Sequence, residues 1–395
     1  MDKKTVRDID VNGKRVLIRV DFNVPVDEKT GRIMDDSRIQ ASLPTIQYLV
    51  NHHARVVICS HLGRPKGKPE SRYSLKPVVS RLSGMLGKPV DFAGDCIGEE
   101  AEKAVARLGN GDVLLLENVR FHAEEETDDP VFARALAKLA DVYVDDAFGT
   151  AHRNHVSIVG VTRYLPAVAG LLLEKELSTL GGLLKRPQHP FASLLGGAKV
   201  SDKVALMENM LSKVDCLMIG GGMAATFLKA GGHEIGQSMY EADRLEVAAS
   251  MIKRVTGNRV RLLLPVDVVV TDDVSEKGSY QVCLVEEIPT HSKIADIGPQ
   301  TVQLFGTELA KCKTIFWNGP MGVYEIPQFA EGTEAMANLL AGLKAATIIG
   351  GGSTAELVIN MGLAGKMTFV STGGGASMSF LSGEKMPGVE ALLDK

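Results

Sequence analysis

Apolar positions in this chain cluster in short runs of three to six residues, most of them β-branched or leucine-rich and bounded by Gly, Asp, Asn or Pro. Such runs read as strands buried on both faces. The first half holds four, at 15–20, 55–59, 113–116 and 142–144. The second holds six, at 191–195, 217–219, 261–264, 314–317, 347–349 and 368–370. Helical periodicity fills the intervals, as at 130–140, 199–213 and 333–343. Strand alternating with helix predicts parallel sheets covered by helices on both sides. The stretch 166–185 has a longer helical pattern, closed by Arg186-Pro187, and reads as a helix connecting two domains.

Composition sharpens this division. Of the 41 glycines, 13 fall in residues 1–170 and 28 in 171–395, and the three triple glycines, at 220–222, 350–352 and 373–375, all lie in the later part. A length of 395 residues suits two domains. A net charge of −4 argues against a dedicated nucleic-acid binder. The five cysteines, Cys59, Cys96, Cys216, Cys283 and Cys312, show no metal-binding or redox spacing and fit a reducing compartment. The charged start MDKKTVRDID is no signal peptide, and no apolar run is long enough to cross a bilayer. The expected location is the cytoplasm.

Ligands of open parallel sheets bind beyond the carboxyl ends of the strands. In the first half those ends carry Asp21-Phe22-Asn23, His61-Leu62-Gly63-Arg64, Arg120 and Arg153, with Arg38 at the expected start of the next helix. Guanidinium groups bind phosphate and carboxylate in bidentate fashion, so several at neighbouring strand ends predict a pocket for a small polyanion. In the second half the ends are glycine-rich: Gly196-Gly197, Gly220-Gly221-Gly222, Asn318-Gly319-Pro320, Gly350-Gly351-Gly352 and Gly373-Gly374-Gly375. Such loops let backbone N–H groups and helix N-termini approach phosphates. Lys199 and Lys203, four apart, would share a helical face there. No GxxxxGK[ST] loop and no protein-kinase motif set is present. The looser GxGxxA at 220–225 and 350–355 lacks the acidic residue of a dinucleotide site. A basic pocket and a nucleotide pocket on two domains suit phosphoryl transfer, which needs positioning and charge neutralisation above all. A ligase, a dehydrogenase or a nucleotide-binding protein without activity are the alternatives.

These residues together resemble phosphoglycerate kinase from end to end. The likeness is carried by 20–25 (VDFNVP), 60–67 (SHLGRPKG), 114–121 (LLLENVRF), 145–153 (DDAFGTAHR), 196–200 (GGAKV) with Asp202 and Lys203, 317–325 (WNGPMGVYE) and 371–377 (STGGGAS). The resemblance implies two Rossmann-like α/β lobes: 1–170 binding phosphoglycerate, a connecting helix at 171–186, and 187–375 binding nucleotide. It also implies that 376–395 packs back on the first lobe. It implies reversible in-line transfer from 1,3-bisphosphoglycerate to ADP in a closing cleft, giving 3-phosphoglycerate and ATP. The nucleotide would carry Mg²⁺, no metal would be held by side chains, and a monomer would act on small molecules alone, without nucleic acid or membrane. The implied phosphoglycerate site is Asp21, Phe22, Asn23, Arg38, His61, Leu62, Gly63, Arg64, Arg120 and Arg153. Lys199, Lys203, Gly221, Gly222, Gly298, Asn318, Pro320, Gly322, Val323, Glu325, Gly351, Gly352, Ser353 and Thr354 are implied for the nucleotide, with Glu325 on the ribose. Arg38, Lys203, Gly374 and Gly375 are implied at the moving phosphoryl group. The chain departs from the family pattern at Ser353, where Asp usually stands near Mg²⁺. Asp145 (Asn is common) and Ser379 (Glu is common) are lesser departures.

Overall fold

The computed structural model describes residues 3–27, 29–256 and 260–395. Its contacts divide the chain into two units, 1–179 with 385–395, and 180–384.

In the first unit the strands are β1 (Arg15–Arg19), β2 (Arg55–Cys59), β3 (Asp91–Ala93), β4 (Val113–Leu116), β5 (Val142–Asp145) and β6 (Ala167–Ala169), in the order β3-β4-β2-β1-β5-β6. Every pairing is parallel, with Ile18 opposite both Ile58 and Val144. The helices are α1 (Ser37–Asn51), α2 (Lys76–Leu86), α3 (Gly98–Ala106), α4 (Pro130–Ala137) and the first part of α5 (Leu171–Lys185). In α1, buried Ile39, Ser42, Ile46 and Leu49 recur at three- and four-residue spacing and pack on the sheet with Val78 and Leu82 of α2. Strands β2, β4 and β5 are almost wholly buried, so their middles appear in the sequence as unbroken apolar runs.

The second unit has a sheet of the same kind. Its strands are β7 (Phe191–Leu195), β8 (Cys216–Ile219), β9 (Arg261–Leu263), β13 (Thr314–Asn318), β14 (Ala346–Gly350) and β15 (Phe369–Val370), ordered β15-β14-β13-β7-β8-β9. Between β9 and β13 lies a separate three-stranded antiparallel sheet of β10 (Asp267–Thr271), β11 (Tyr280–Leu284) and β12 (Lys293–Ile297). Helices α6 (Val204–Leu211), α7 (Met223–Ala230), α8 (Leu245–Thr256), α9 (Pro299–Leu309), α10 (Glu331–Gly342), α11 (Gly352–Asn360) and α12 (Gly375–Leu381) complete the unit. Helix α13 (Pro387–Glu390) belongs to the first unit.

Four expectations change. The helical stretch 166–185 begins instead as edge strand β6: the Pro166 carbonyl accepts the Tyr143 N–H, and the helix starts only after Gly170. The helix expected over 199–213 starts at Val204, because 201–203 form a turn in which the Lys203 N–H reaches the Val200 carbonyl. Lys199 and Lys203 therefore share no helical face. The antiparallel sheet breaks the all-parallel pattern; its outer strand β11 is mostly exposed and so lacks an apolar signature. Finally, residues 376–384 lie in the second unit, where Asn209 Nδ2 donates to the Leu381 carbonyl at 2.6 Å, and the return to the first unit starts at Lys385.

Candidate active site

The carboxyl ends of β1, β2, β4 and β5 carry the basic cluster of the first unit. Asp21 pairs with Arg38, which opens α1. Asn23 Oδ1 accepts the Gly63 N–H at 2.8 Å, which ties the loop after β1 to the loop after β2. Gly63 has φ +62°, and a Cβ there would stand 2.3 Å from the Tyr73 ring, so only glycine fits this turn. Asn118 Nδ2 donates to the Leu62 and Tyr73 carbonyls at 2.7 and 2.9 Å, while its Oδ1 accepts the Arg120 N–H. Phe22 is fully buried, and its N–H donates to Ser60 Oγ. The loops are thus locked to one another before any ligand arrives.

Charge in this cluster is unbalanced. Arg120 is almost wholly buried and donates to the Gly63 carbonyl at 2.8 Å, with Glu126 at 3.2 Å from its Nε. Burial, with repulsion from Arg153 next, pulls its guanidinium down to about 10. Arg153 is lowered as well, by burial and then by Arg19 and Arg64. Arg64 is exposed at the rim. His61 is 3% exposed and is pushed well below the ordinary histidine range by burial, then by Arg19, Arg120, Arg153 and Arg38. Arg19 Nη2 lies 3.1 Å from His61 Nδ1. A guanidinium can only donate, so Nδ1 accepts and the ring proton sits on Nε2. Its 3.9 Å approach to Asp21 is therefore no ion pair. Four arginines, Arg19, Arg38, Arg120 and Arg153, bear on one neutral histidine, with Arg64 acting on Arg153; the acidic groups among them are Asp21, Glu126 and two carboxyls raised by burial, Glu125 and Asp145. Such a pocket favours an anion.

In the second unit the glycine loops interlock at the carboxyl ends of β7, β8, β13, β14 and β15. Gly197 N–H donates to the Pro320 carbonyl at 2.8 Å, Gly221 N–H to the Met321 carbonyl at 2.9 Å, and Gly319 N–H to Thr354 Oγ1 at 2.7 Å. Lys203 is nearly buried, bonds Asn318 Oδ1 and approaches Met378 Sδ at 3.7 Å; burial drops its ammonium to about 8. Gly351, at φ +88°, turns the chain into α11, and Gly374, at φ +49°, turns it into α12. A Cβ on Gly374 would lie 3.8 Å from the Gly352 nitrogen, so the starts of α11 and α12, with Gly375, are neighbours. The loop 319–325 runs along the end of β12: Val323 N–H donates to the Ala295 carbonyl, and a Cβ on Gly322 would strike Asp296. Asp296 in turn accepts the Gly332 N–H at 2.7 Å, and its carboxyl is raised to about 7 by burial. Gly298 caps α9 with Asp267 packed against it. Gly222 packs on Ala198, Pro320 is half-buried, and Glu325 is exposed.

Comparison with known proteins settles the family. The profile described as Phosphoglycerate kinase matches residues 6–384. The chain belongs to the phosphoglycerate kinase family. Two relatives named phosphoglycerate kinase, from Pelotomaculum thermopropionicum and Moorella thermoacetica, are 56% and 51% identical over 395 residues, each alignment covering 100% of both chains. Among solved structures, phosphoglycerate kinase from Coxiella burnetii superposes with a TM-score of 0.87 at 40% identity, covering 98% of each chain. That from Pyrococcus horikoshii OT3 gives 0.86 at 33%, again over 98% of each. The chain is thus an enzyme of this family with its two-sheet α/β fold.

Within this phosphoglycerate kinase fold, Asp21, Asn23, Arg38, His61, Arg120 and Arg153 gather at one end of the first sheet, and Lys203, Asn318, Thr354 and the glycine loops at one end of the second. Lys199 and Ser353 are exposed. Sequence reasoning passed over Arg19, Ser157 and Glu125. Arg19 Nε donates to Ser157 Oγ at 2.9 Å, and Glu125 accepts from the same hydroxyl at 2.6 Å. The one signal for them was a lone arginine within the apolar run of β1. Asn118 and Asp296, which brace the loops, were also passed over.

Proposed function

We propose that this enzyme moves a phosphoryl group reversibly between 1,3-bisphosphoglycerate and ADP, giving 3-phosphoglycerate and ATP in glycolysis. The observation carrying this reading is the pairing of an over-charged guanidinium cluster in one unit with interlocked backbone N–H loops and a buried lysine in the other. Asp21, Asn23, His61, Arg64, Arg120 and Arg153 hold phosphoglycerate, with Nε2–H of His61 as a donor. Gly221, Gly222, Gly298, Asn318, Pro320, Gly322, Val323 and Glu325 receive the adenosine. Lys199, Lys203, Gly351, Gly352 and Thr354 receive its phosphates.

The acyl phosphate is a mixed anhydride whose carboxylate departs readily. The difficulty is bringing the anionic ADP β-phosphate to an anionic phosphoryl group. Arg38, Lys203 and the backbone at Gly374 and Gly375 offset that repulsion along an in-line path. The nucleotide enters as its Mg²⁺ complex. Residues 350–354 hold no carboxylate, only the Ser353 and Thr354 hydroxyls, so a bound Mg²⁺ would be held mainly by nucleotide phosphates and water. Approach of the two units would exclude water and limit hydrolysis. The five cysteines among the described residues are free, as suits a reducing compartment; in this reading the enzyme works in the cytoplasm as a monomer on small molecules.

Arg38→Ala tests the assignment. Turnover should fall by about 10³–10⁵-fold, as for loss of a transition-state arginine, with nucleotide affinity little changed. Equal losses in turnover and nucleotide binding would remove Arg38 from the transferring group.

A further inference from the structure

Outside the basic cluster, the first unit brings together three donors that sequence spacing did not reveal. Asp95 and Cys96 lie in the loop between β3 and α3, and His122 follows Arg120 and Phe121 after β4. Each presents one ligand atom, and the three atoms lie within 4.8 Å of one another. Cys96 is 1% exposed and forms the floor, while the side chains of His122 and Asp95, 26% and 44% exposed, form a rim open to solvent. We infer that Asp95, Cys96 and His122 form a binding site for a borderline divalent cation of the Zn²⁺ class.

Donor chemistry sets the class. Thiolate with imidazole selects Zn²⁺ or Co²⁺ over Mg²⁺ and Ca²⁺, which take oxygen ligands. Three protein ligands with a fourth position left to water is the pattern of an open zinc site. Bond lengths of about 2.0–2.3 Å place the donors of one tetrahedral ion roughly 3.5 Å apart, so the more distant donors, which lie within 4.8 Å, must draw in, while the Asp95–His122 pair, 2.7 Å apart, must open. The half-exposed His122 and Asp95 side chains have room to do so.

The surroundings restrict the ligand set. Glu125 is electrostatically close to Cys96, yet both its oxygens accept from Ser157, at 2.6 and 2.9 Å. Phe132 packs against one side of the His122 ring, centroids 5.1 Å apart. In the metal-free state His122 Nε2 and Asp95 Oδ1 lie 2.7 Å apart. An entering M²⁺ would take the place of that contact; Cys96 S–H would lose its proton to solvent as the metal–sulfur bond forms, and no redox partner is needed.

The test is titration of the purified full-length chain with Co²⁺, alone and then with Zn²⁺ as competitor. The site predicts one Co²⁺ per chain with a thiolate-to-metal charge-transfer band in the near ultraviolet, displaced by Zn²⁺. Cys96→Ser should abolish the band, and His122→Gln and Asp95→Asn should each weaken Co²⁺ at least ~10-fold, the scale on which even outer-shell partners act. The unfolding transition of each variant, compared with the wild type, shows whether a loss reflects the site or the fold. No band at saturating Co²⁺, a band that survives Cys96→Ser, or affinity unaltered in folded His122→Gln would each overturn the site. The last two results would assign the thiolate to another cysteine, or leave Asp95 and His122 a simple ion pair beside a core thiol.

Discussion

Lys203 shows how one residue can be tuned by its setting. Its ammonium is held in a nearly closed space with Asn318 as partner, and burial draws its pKa from 10.5 to about 8. The proposed role requires the charged form. The kcat/KM for MgADP, which reports the free enzyme, should therefore decline as pH rises through about 8. A profile flat to about pH 10 would detach Lys203 from phosphate binding. Ser353 poses the opposite problem, a neutral hydroxyl where the family pattern carries a carboxylate. Ser353→Asp should lower the Mg²⁺ concentration needed for half-maximal rate, and an unmoved Mg²⁺ curve would show that nucleotide phosphates suffice. At this scale the sequence pointed to residues after strand ends, such as His61 and Arg120, and to Arg38 and Lys203 near the starts of α1 and α6. Arg19 was hidden because its role depends on Ser157, 138 positions away. Asp95 and His122, 27 positions apart, meet only through the fold.

At the scale of elements, the start of α5 rests on two buried side chains, Thr45, which accepts the Leu171 N–H at 3.0 Å, and Asp146. Asp146 Oδ1 accepts the N–H groups of Leu172 and Leu173 at 2.9 and 3.1 Å, filling part of the unsatisfied first turn. Burial raises its carboxyl from 3.8 to about 7, and nearby Asp145 is raised to about 6. The folded state thus holds the Asp146 proton more tightly than the unfolded chain does. Stability conferred by the protonated form is full below about pH 4 and is lost as pH climbs to about 7. Asp146→Asn keeps the Oδ1 acceptor and removes the charge, so urea unfolding should show a gain at pH 8 and almost none near pH 4. Asp146→Ala should lose about 1–2 kcal/mol through the missing cap. Should Asp146→Asn prove no more stable than wild type at pH 8, the buried-charge reading would be contradicted. The sequence pattern yielded the long buried strands of the two parallel sheets because both their faces are apolar. It missed β3 and β6, which at three residues each are too short to set a period, and the whole antiparallel sheet: β11 is mostly exposed, while β10, though buried throughout, and β12 were not read as strands. It also extended α6 back over a turn that glycine and local hydrogen bonds had already shaped.

Across the whole molecule, two sheets of one kind end differently: side-chain cations gather at the carboxyl ends of the first, interlocked glycine loops at those of the second. The glycine excess after residue 170 was the sequence trace of that difference. The place where the chain returns to its first unit left no trace, since contacts between residues far apart in sequence, such as Asn209 with Leu381, hold the preceding segment in the second unit. If these two surfaces serve one reaction, the phosphoryl group must pass to nucleotide rather than to water. The most direct measurement follows ATP and inorganic phosphate together as purified chain meets 1,3-bisphosphoglycerate with and without MgADP. The account predicts ATP equal to the 3-phosphoglycerate formed when MgADP is present, and phosphate release no faster than without enzyme when it is absent. Enzyme-dependent phosphate release without ATP, or no turnover of either kind, would contradict it.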